Sequence, residues 1–270
     1  MLLAGFARNL RDGLLVPLRA CITHASLLQM LVRRDLIGRT SGTLLGKLWP
    51  LLQPALQVFG FWFLFAVVWG SSRPERGGDF SLEYLLIGLL PWLLLAEVLT
   101  RASGLFREFA ALYRRTPFPV ELLPILIAAV PGVVYTLVFC VVAFLYHGPV
   151  AALQSLVVMP LVLLLVFPLM LLFSVLGLFV RDFAQALPFV LTLVMYCTPI
   201  LYNPSMLPEG MQQFMWLNPF ADLVAVIHAV VDDSLVDWHK VGRLAAIWLV
   251  LLAPCWAVFR RSVPHVREVL

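Results

Sequence analysis

The side chains that could do chemistry in this sequence are few, and their spacing excludes the common catalytic and metal sites. The five histidines lie in five separate segments: His24, His147, His228, His239 and His265. None belongs to an H-E-x-x-H motif, and the four cysteines include no C-x-x-C pair. A G-x-S-x-G elbow is also absent. The sequence therefore predicts no catalytic residue and no metal site.

Residues 42–47 resemble a phosphate-binding loop only superficially. Three residues separate Gly42 from Gly46 where that motif has four, and Leu48 stands where a Ser or Thr would hold magnesium. We therefore expect no ATP site and no cofactor on this chain. The two glycines are instead expected to form a close-packed bend.

Glu97 and Arg101 are ionisable residues at the end of an apolar stretch, residues 82–100. An ionisable group within a membrane span is a candidate for proton or ion binding. Opposite charges four residues apart also meet on one face of a helix. We expect a mutual ion pair, with ion binding as the alternative.

An aromatic cluster within residues 59–69 could contact a sliding sugar polymer. Trp62 lies 3 residues after Phe59, and Trp69 lies 7 residues after Trp62, so the three share a helix face. Tyr196 and Tyr202 could add rings that carry hydroxyl groups. Aromatic faces offer apolar area to sugar rings without gripping one hydroxyl. The five residues are predicted to line a substrate pathway; packing against lipid and other helices is the alternative.

The composition shows which elements must position these residues. Apolar residues make up 62% of the chain and charged residues 13%, and mean hydropathy is +0.96, which excludes a soluble enzyme. Residues 122–180 contain no charge, which is enough for two membrane crossings. The basic residues flank apolar stretches and form no continuous stripe, so no nucleic-acid binding is expected. The sequence predicts an all-α, polytopic membrane protein.

Six membrane spans are predicted. They are residues 48–72, 82–100, two spans within 122–180 divided at residues 147–149, 183–202 and 244–259. This count puts 15 of the 19 Lys and Arg residues on one side, so both termini are expected in the cytoplasm. Residues 203–235 hold two apolar stretches too short to cross, which favours re-entrant or interfacial helices on the periplasmic side.

The predicted domain organisation has three parts. Residues 1–47 form a cytoplasmic arm, 48–260 the six-helix domain, and 261–270 a cytoplasmic tail. The arm carries an apolar stripe with a basic end: Leu27, Leu28, Leu31 and Val32, followed by Arg33, Arg34, Asp35 and Arg39. This pattern favours an amphipathic helix lying in the membrane interface, and a cytosolic helix packed on the protein is the alternative.

Several segments together resemble the ABC-2-type transporter permeases, in particular the branch that exports O-antigen, capsule and teichoic acid. The segments are Arg33-Arg34-Asp35-Leu36, Gly42-Thr43-Leu44-Leu45-Gly46-Lys47-Leu48-Trp49-Pro50-Leu51-Leu52-Gln53-Pro54, Pro91-Trp92, Phe118-Pro119-Val120-Glu121-Leu122-Leu123-Pro124, Gly177-Leu178-Phe179-Val180-Arg181-Asp182, Thr198-Pro199-Ile200-Leu201-Tyr202 and Leu217-Asn218-Pro219. The resemblance covers roughly residues 27–260.

The resemblance implies a half-transporter that forms a homodimer and binds two copies of a separate ABC nucleotide-binding subunit, which holds ATP and magnesium. It implies an interface helix over residues 27–46, a coupling helix over 103–117 and periplasmic gate helices over 203–235. The implied substrate is a lipid-linked polysaccharide crossing the bacterial inner membrane, and the resemblance leaves room for periplasmic export partners.

Six residues of the coupling segment are expected to contact the nucleotide-binding subunit: Arg107, Glu108, Phe109, Tyr113, Arg114 and Arg115. Phe109 and Tyr113 are one helical turn apart and could anchor in a groove, with the charges around its rim. The alternative is a solvated basic loop that only sets topology.

Three other functions compete with polysaccharide export. An ABC-2 exporter of a lipid or drug is the nearest, followed by a proton-coupled secondary carrier and a membrane-embedded transferase. A stoichiometric ATPase partner is expected only for the ABC exporters.

Overall fold

The computed structural model describes residues 2–40, 42, 44–64, 67, 82–115 and 118–266. Within these ranges the chain forms α-helices and short 3₁₀ turns and contains no strand, which confirms the predicted all-α class. The helices are α1 Leu2–Thr23, α2 Ala25–Thr40, α3 Trp49–Trp62, α4 Leu82–Ser103, α5 Leu105–Glu108, α6 Ala110–Arg115, α7 Leu123–His147, α8 Pro149–Phe179, α9 Arg181–Cys197, α10 Glu209–Gln212, α11 Pro219–Val231 and α12 Trp238–Ser262.

The segments long and apolar enough to cross a membrane are α4, α8 and two longer ones that contain α7 and α12, Val120–His147 and Trp238–His265. The protein is therefore a multi-pass membrane protein. Helix α9 has 17 residues and α3 has 14, and most of the predicted first span beyond Leu64 lies outside the described residues. The total of six spans stays a prediction.

Glycines mark the bends between the helices. Gly42 and Gly46, between α2 and α3, have φ of +77° and +51°, a backbone conformation that other residues rarely adopt. The predicted bend is confirmed, but not its close packing, because an added Cβ at either glycine would have no described atom within 4 Å. Gly148, with φ of +83°, ends α7 and forms the predicted turn into α8.

Two pairs of neighbouring segments are sharply bent. Gly5–Thr23 and Ala25–Arg39 meet at 85°, and Glu209–Leu217 meets α11 at 96°. Asn218 fixes the second bend: its Oδ1 accepts a hydrogen bond from the Phe220 amide at 3.0 Å, and its Nδ2 donates to Thr198 Oγ1 at 3.0 Å. The interfacial position of α2 and the re-entrant position of α10 and α11 stay predictions.

Helix α4 is the centre of the bundle and packs against α7, α8, α9 and α11. Its Leu89, Leu90 and Leu94 have no exposed surface. At its last turn the backbone of Ser103 contacts Gly177 of α8 so closely that a Cβ on Gly177 would lie 1.8 Å from the Ser103 carbonyl oxygen. In contrast, α8 and α12 expose apolar side chains on their outer faces, as helices in lipid do.

Candidate functional site: a polar chamber and a charged layer

A charged layer lies where α4 ends and α7 begins. It consists of three acidic and two basic side chains from α2, α4 and α5: Asp35, Arg39, Glu97, Arg101 and Glu108. Arg101 is its centre. Its two terminal nitrogens bind both carboxylate oxygens of Asp35, with Nη1 2.8 Å from Oδ2, and its Nε and Nη2 lie 3.2 and 2.6 Å from Glu108. Such forked pairs fix geometry as well as adding energy.

The expected ion pair between Glu97 and Arg101 is wrong: among the described residues, both find partners on other helices. Arg39 Nη1 lies 2.9 Å from Glu97 Oε1, and Arg101 binds Asp35 and Glu108. The reason is complementarity between two helices. Helix α2 presents Asp35 and Arg39 four residues apart, α4 presents Glu97 and Arg101 four residues apart, and the two pairs match across the interface.

A polar chamber of about 570 Å³ lies against this layer between α3, α4, α7 and α9. Its polar groups come from all four helices: Gln53, Gln57, Glu97, Thr100, Arg101, Tyr135 and Thr192. Gln53, Gln57 and Phe61 are each four residues apart, so one face of α3 lines the chamber. Phe61 and Trp92 add aromatic rings. The chamber can therefore exchange hydrogen bonds with hydroxyl groups and offer ring faces to apolar surfaces.

The predicted pathway residues do not line this chamber. Phe59 and Trp62 lie on α3 with 55% and 39% of their surface exposed, and their ring centroids are 5.5 Å apart. Tyr196 is exposed on α9, and Tyr202 is half-buried in the bend that follows it. Trp69 lies outside the described residues, and the pathway role of all five stays a prediction.

The predicted coupling segment is helical but broken at Phe109, between α5 and α6. Phe109 itself is only 7% exposed and packs in the hydrophobic core of this chain. Its ring therefore supports the fold of this segment directly.

The other coupling residues have different surroundings. Arg107 is exposed, and its Nη2 donates to the Gly177 carbonyl at 2.6 Å. Glu108 binds Arg101 in the charged layer. Tyr113, Arg114 and Arg115 lie on α6, and their side chains are outside the described part of the chain. Contact with a second subunit stays a prediction for all six residues.

Sequence reasoning named the charged residues of the layer but not their pairing, and it missed Gln53, Gln57 and Tyr135 of the chamber. Gln53 and Gln57 carried a usable signal, because two amides four residues apart are unusual in an apolar span. Asp35 and Arg39 carried another, since they repeat the spacing of Glu97 and Arg101. Tyr135 carried none: a lone tyrosine in an uncharged span looks the same whether it packs or binds.

Multi-pass helices around a polar chamber, beside partly buried ion pairs, are features found in membrane transport proteins. The chain belongs to the ABC-2 type transporter family, whose sequence model matches residues 26–230. The family resemblance expected from the motifs is thereby confirmed.

Three relatives are similar along nearly their whole length, and each is named O-antigen export system permease protein RfbA. Two are from Klebsiella pneumoniae, 26% and 25% identical over 250 residues, which cover 90% of this chain and 95% of each relative. The third, from Myxococcus xanthus, is 28% identical over 250 residues, which cover 89% of this chain and 94% of the relative.

Proposed function

We propose that this chain is the membrane permease subunit of an ABC exporter that carries a lipid-linked polysaccharide of the O-antigen kind across the bacterial inner membrane. Both termini lie in the cytoplasm. The observation that carries the proposal is the polar chamber, because the three relatives named as O-antigen permeases give the substrate class and the chamber gives a place for it.

The chamber suits a polymer that must slide. Sugar hydroxyls need hydrogen-bond partners when they leave water, and an unpaired one is costly. The side-chain amides of Gln53 and Gln57 carry no charge and can exchange one hydroxyl for the next, whereas the Thr192 hydroxyl already donates to the Pro188 carbonyl at 2.9 Å. Phe61 would contact ring C–H groups without fixing their position, whereas Trp92, 4% exposed, packs mainly against Phe220. Weak, repeated contacts of this kind permit movement along the chamber.

A second copy of the chain would complete the pathway. In one copy Phe59, Trp62 and Tyr196 are exposed on α3 and α9, the same two helices that line the chamber. A homodimer that joins these faces would bring two sets of rings to a shared passage. This arrangement agrees with the predicted pathway role of Phe59, Trp62 and Tyr196.

Energy would come from two copies of a separate ABC nucleotide-binding subunit, which hold ATP and magnesium, and this chain would carry no cofactor. We place the contact at residues 103–117. The charged layer supports this, because Glu108 of α5 binds Arg101, Arg101 binds Asp35, and Arg101 also lines the chamber. A displacement of α5 would therefore act directly on the chamber wall.

The alternative functions are not favoured. A proton-coupled carrier needs a carboxylate free to exchange protons, whereas Glu97 is paired with Arg39. An exporter of a lipid or drug would not explain why the three relatives are named as O-antigen permeases.

The test compares Gln53→Leu with Gln57→Leu in the native host, with Gln29→Leu as the matched control. Gln29 is exposed on α2 and lies outside the chamber and the α3 and α9 faces, so its replacement should leave export unchanged. We expect the two chamber variants to reach wild-type protein levels and to co-purify with the ATPase, while surface polysaccharide falls severalfold. Wild-type polysaccharide from the Gln53→Leu, Gln57→Leu double variant would contradict the proposed pathway.

A further inference from the structure

Glu83, His147 and Asp232 converge at the end of the bundle opposite the charged layer. Glu83 is in the first turn of α4, His147 is the last residue of α7, and Asp232 follows α11. His147 Nε2 lies 2.7 Å from Glu83 Oε1 and 3.4 Å from Asp232 Oδ1, and one ligand atom from each residue lies within 4.8 Å of the other two. The three residues are far apart in sequence, so no short sequence motif contains them.

The His147 imidazole lies close enough to both carboxylates to share an ion with them. Its Nε2 is buried, and among the described residues it has no hydrogen-bond partner, although a carboxylate oxygen is only 2.7 Å away. The Glu83 carboxylate therefore lies near this nitrogen but outside the direction in which an N–H group would donate. Ligands of one tetrahedral Zn²⁺ ion, each about 2.0–2.2 Å from it, lie roughly 3.3–3.6 Å apart, and the present separations of 2.7 and 3.4 Å are near that range.

A second imidazole beside the cluster also lacks partners. His228 is 7% exposed, and neither of its ring nitrogens has a hydrogen-bond partner in the described part of the chain. It lies one turn before Asp232. Its ring stacks on Tyr84, the neighbour of Glu83, with centroids 4.0 Å apart. A buried imidazole without hydrogen-bond partners is uncommon, and a ligand bound nearby would explain one.

We propose that Glu83, His147 and Asp232 form a binding site for a divalent transition-metal ion of the Zn²⁺ kind. One imidazole and two carboxylates suit Zn²⁺, which commonly takes three protein ligands and leaves a fourth position open. The imidazole ligand disfavours Ca²⁺ and Mg²⁺, which select oxygen. The two carboxylates balance the charge of the ion.

Such an ion would tie three elements together. It would join the start of α4, the turn between α7 and α8, and the end of α11, which closes the segment predicted to form the periplasmic gate helices. Because the ion binds only where all three segments meet, it stabilises that arrangement by mass action. This site is separate from the polar chamber and does not depend on its role in export.

The experiment uses the full chain, purified in detergent without a histidine tag and stripped with EDTA. After Zn²⁺ is added back and the excess is removed, we expect one Zn²⁺ per chain by elemental analysis and a higher melting temperature. Added Mg²⁺ should not raise the melting temperature. Glu83→Gln and Asp232→Asn should each weaken Zn²⁺ binding about tenfold or more. Glu209→Gln and His239→Gln are the controls, because both residues lie outside the three-residue cluster, and they should behave as wild type.

The readout in every variant is the difference in melting temperature with and without Zn²⁺, so a general loss of stability does not imitate the result. Co²⁺ provides a measurement on the unmodified chain, since a site with nitrogen and oxygen ligands should give visible absorption bands. A wild-type chain that neither melts higher with Zn²⁺ nor retains it would overturn the proposal. Undiminished Zn²⁺ binding in the Glu83→Gln, Asp232→Asn double variant would overturn it as well.

Discussion

Two cavities of the same volume, about 570 Å³, lie on either side of α7, and they differ almost completely in chemistry. The polar chamber has amides, hydroxyls and charges from α3, α4, α7 and α9. The second, here called the apolar cavity, lies between α1, α7, α8 and α12 and is lined by side chains such as Leu14, Val133 and Phe167. Equal volume therefore says little about function.

The polar groups of the apolar cavity are already satisfied. Thr136 Oγ1 donates to the carbonyl of Gly132 in its own helix at 2.6 Å, and Trp248 Nε1 donates to the carbonyl of Leu164 at 2.7 Å. A sugar that entered would leave its hydroxyl groups without partners, at a cost of about 1–3 kcal/mol each. Available hydrogen bonds, and not space, therefore favour the polar chamber as the proposed pathway.

The largest expected effect comes from Arg101→Met, which removes the centre of the charged layer. Asp35, whose side chain is 9% exposed, would keep only the more distant Arg39, at 3.4 Å. Losing one partner of a buried pair typically costs about 3–5 kcal/mol. We expect a lower melting temperature in detergent and loss of export. Arg261→Met, at an exposed basic residue, is the control and should change neither quantity.

A smaller effect is expected from adjacent residues of α7 that line different cavities. Tyr135→Phe keeps the buried ring but removes the hydroxyl beside Glu97, so stability should fall by about 1–3 kcal/mol and surface polysaccharide should fall as well. Thr136→Val changes only the apolar cavity and a hydrogen bond within one helix, so export should be unchanged. Equal export defects in the two variants would remove the distinction between the cavities.

The sequence predicted the helical class, the bend at Gly42 and Gly46, the turn at Gly148 and the family, because these depend on local pattern. It did not predict where buried charges go. The spacing of Glu97 and Arg101 would let them pair with each other. Only the packing of α2 on α4 shows that each pairs with a residue of another helix instead.

Phe109 shows a related difficulty. An aromatic residue in a basic loop has the same spacing whether it faces another protein or its own core, and here it is buried. The Glu83, His147 and Asp232 cluster is a third case, since it joins segments 64 and 85 residues apart in sequence. Sites of this kind require the tertiary structure, because their members share no helix.

Photo-crosslinking of a stalled exporter tests the central claim most directly. A benzophenone side chain would be introduced at Gln57 in the polar chamber or at Ala129 in the apolar cavity, in cells whose partner ATPase cannot hydrolyse ATP. After illumination, the purified chain is probed for attached polysaccharide. We predict strong attachment at position 57 and none at 129. Attachment at 129 and not at 57 would contradict the account.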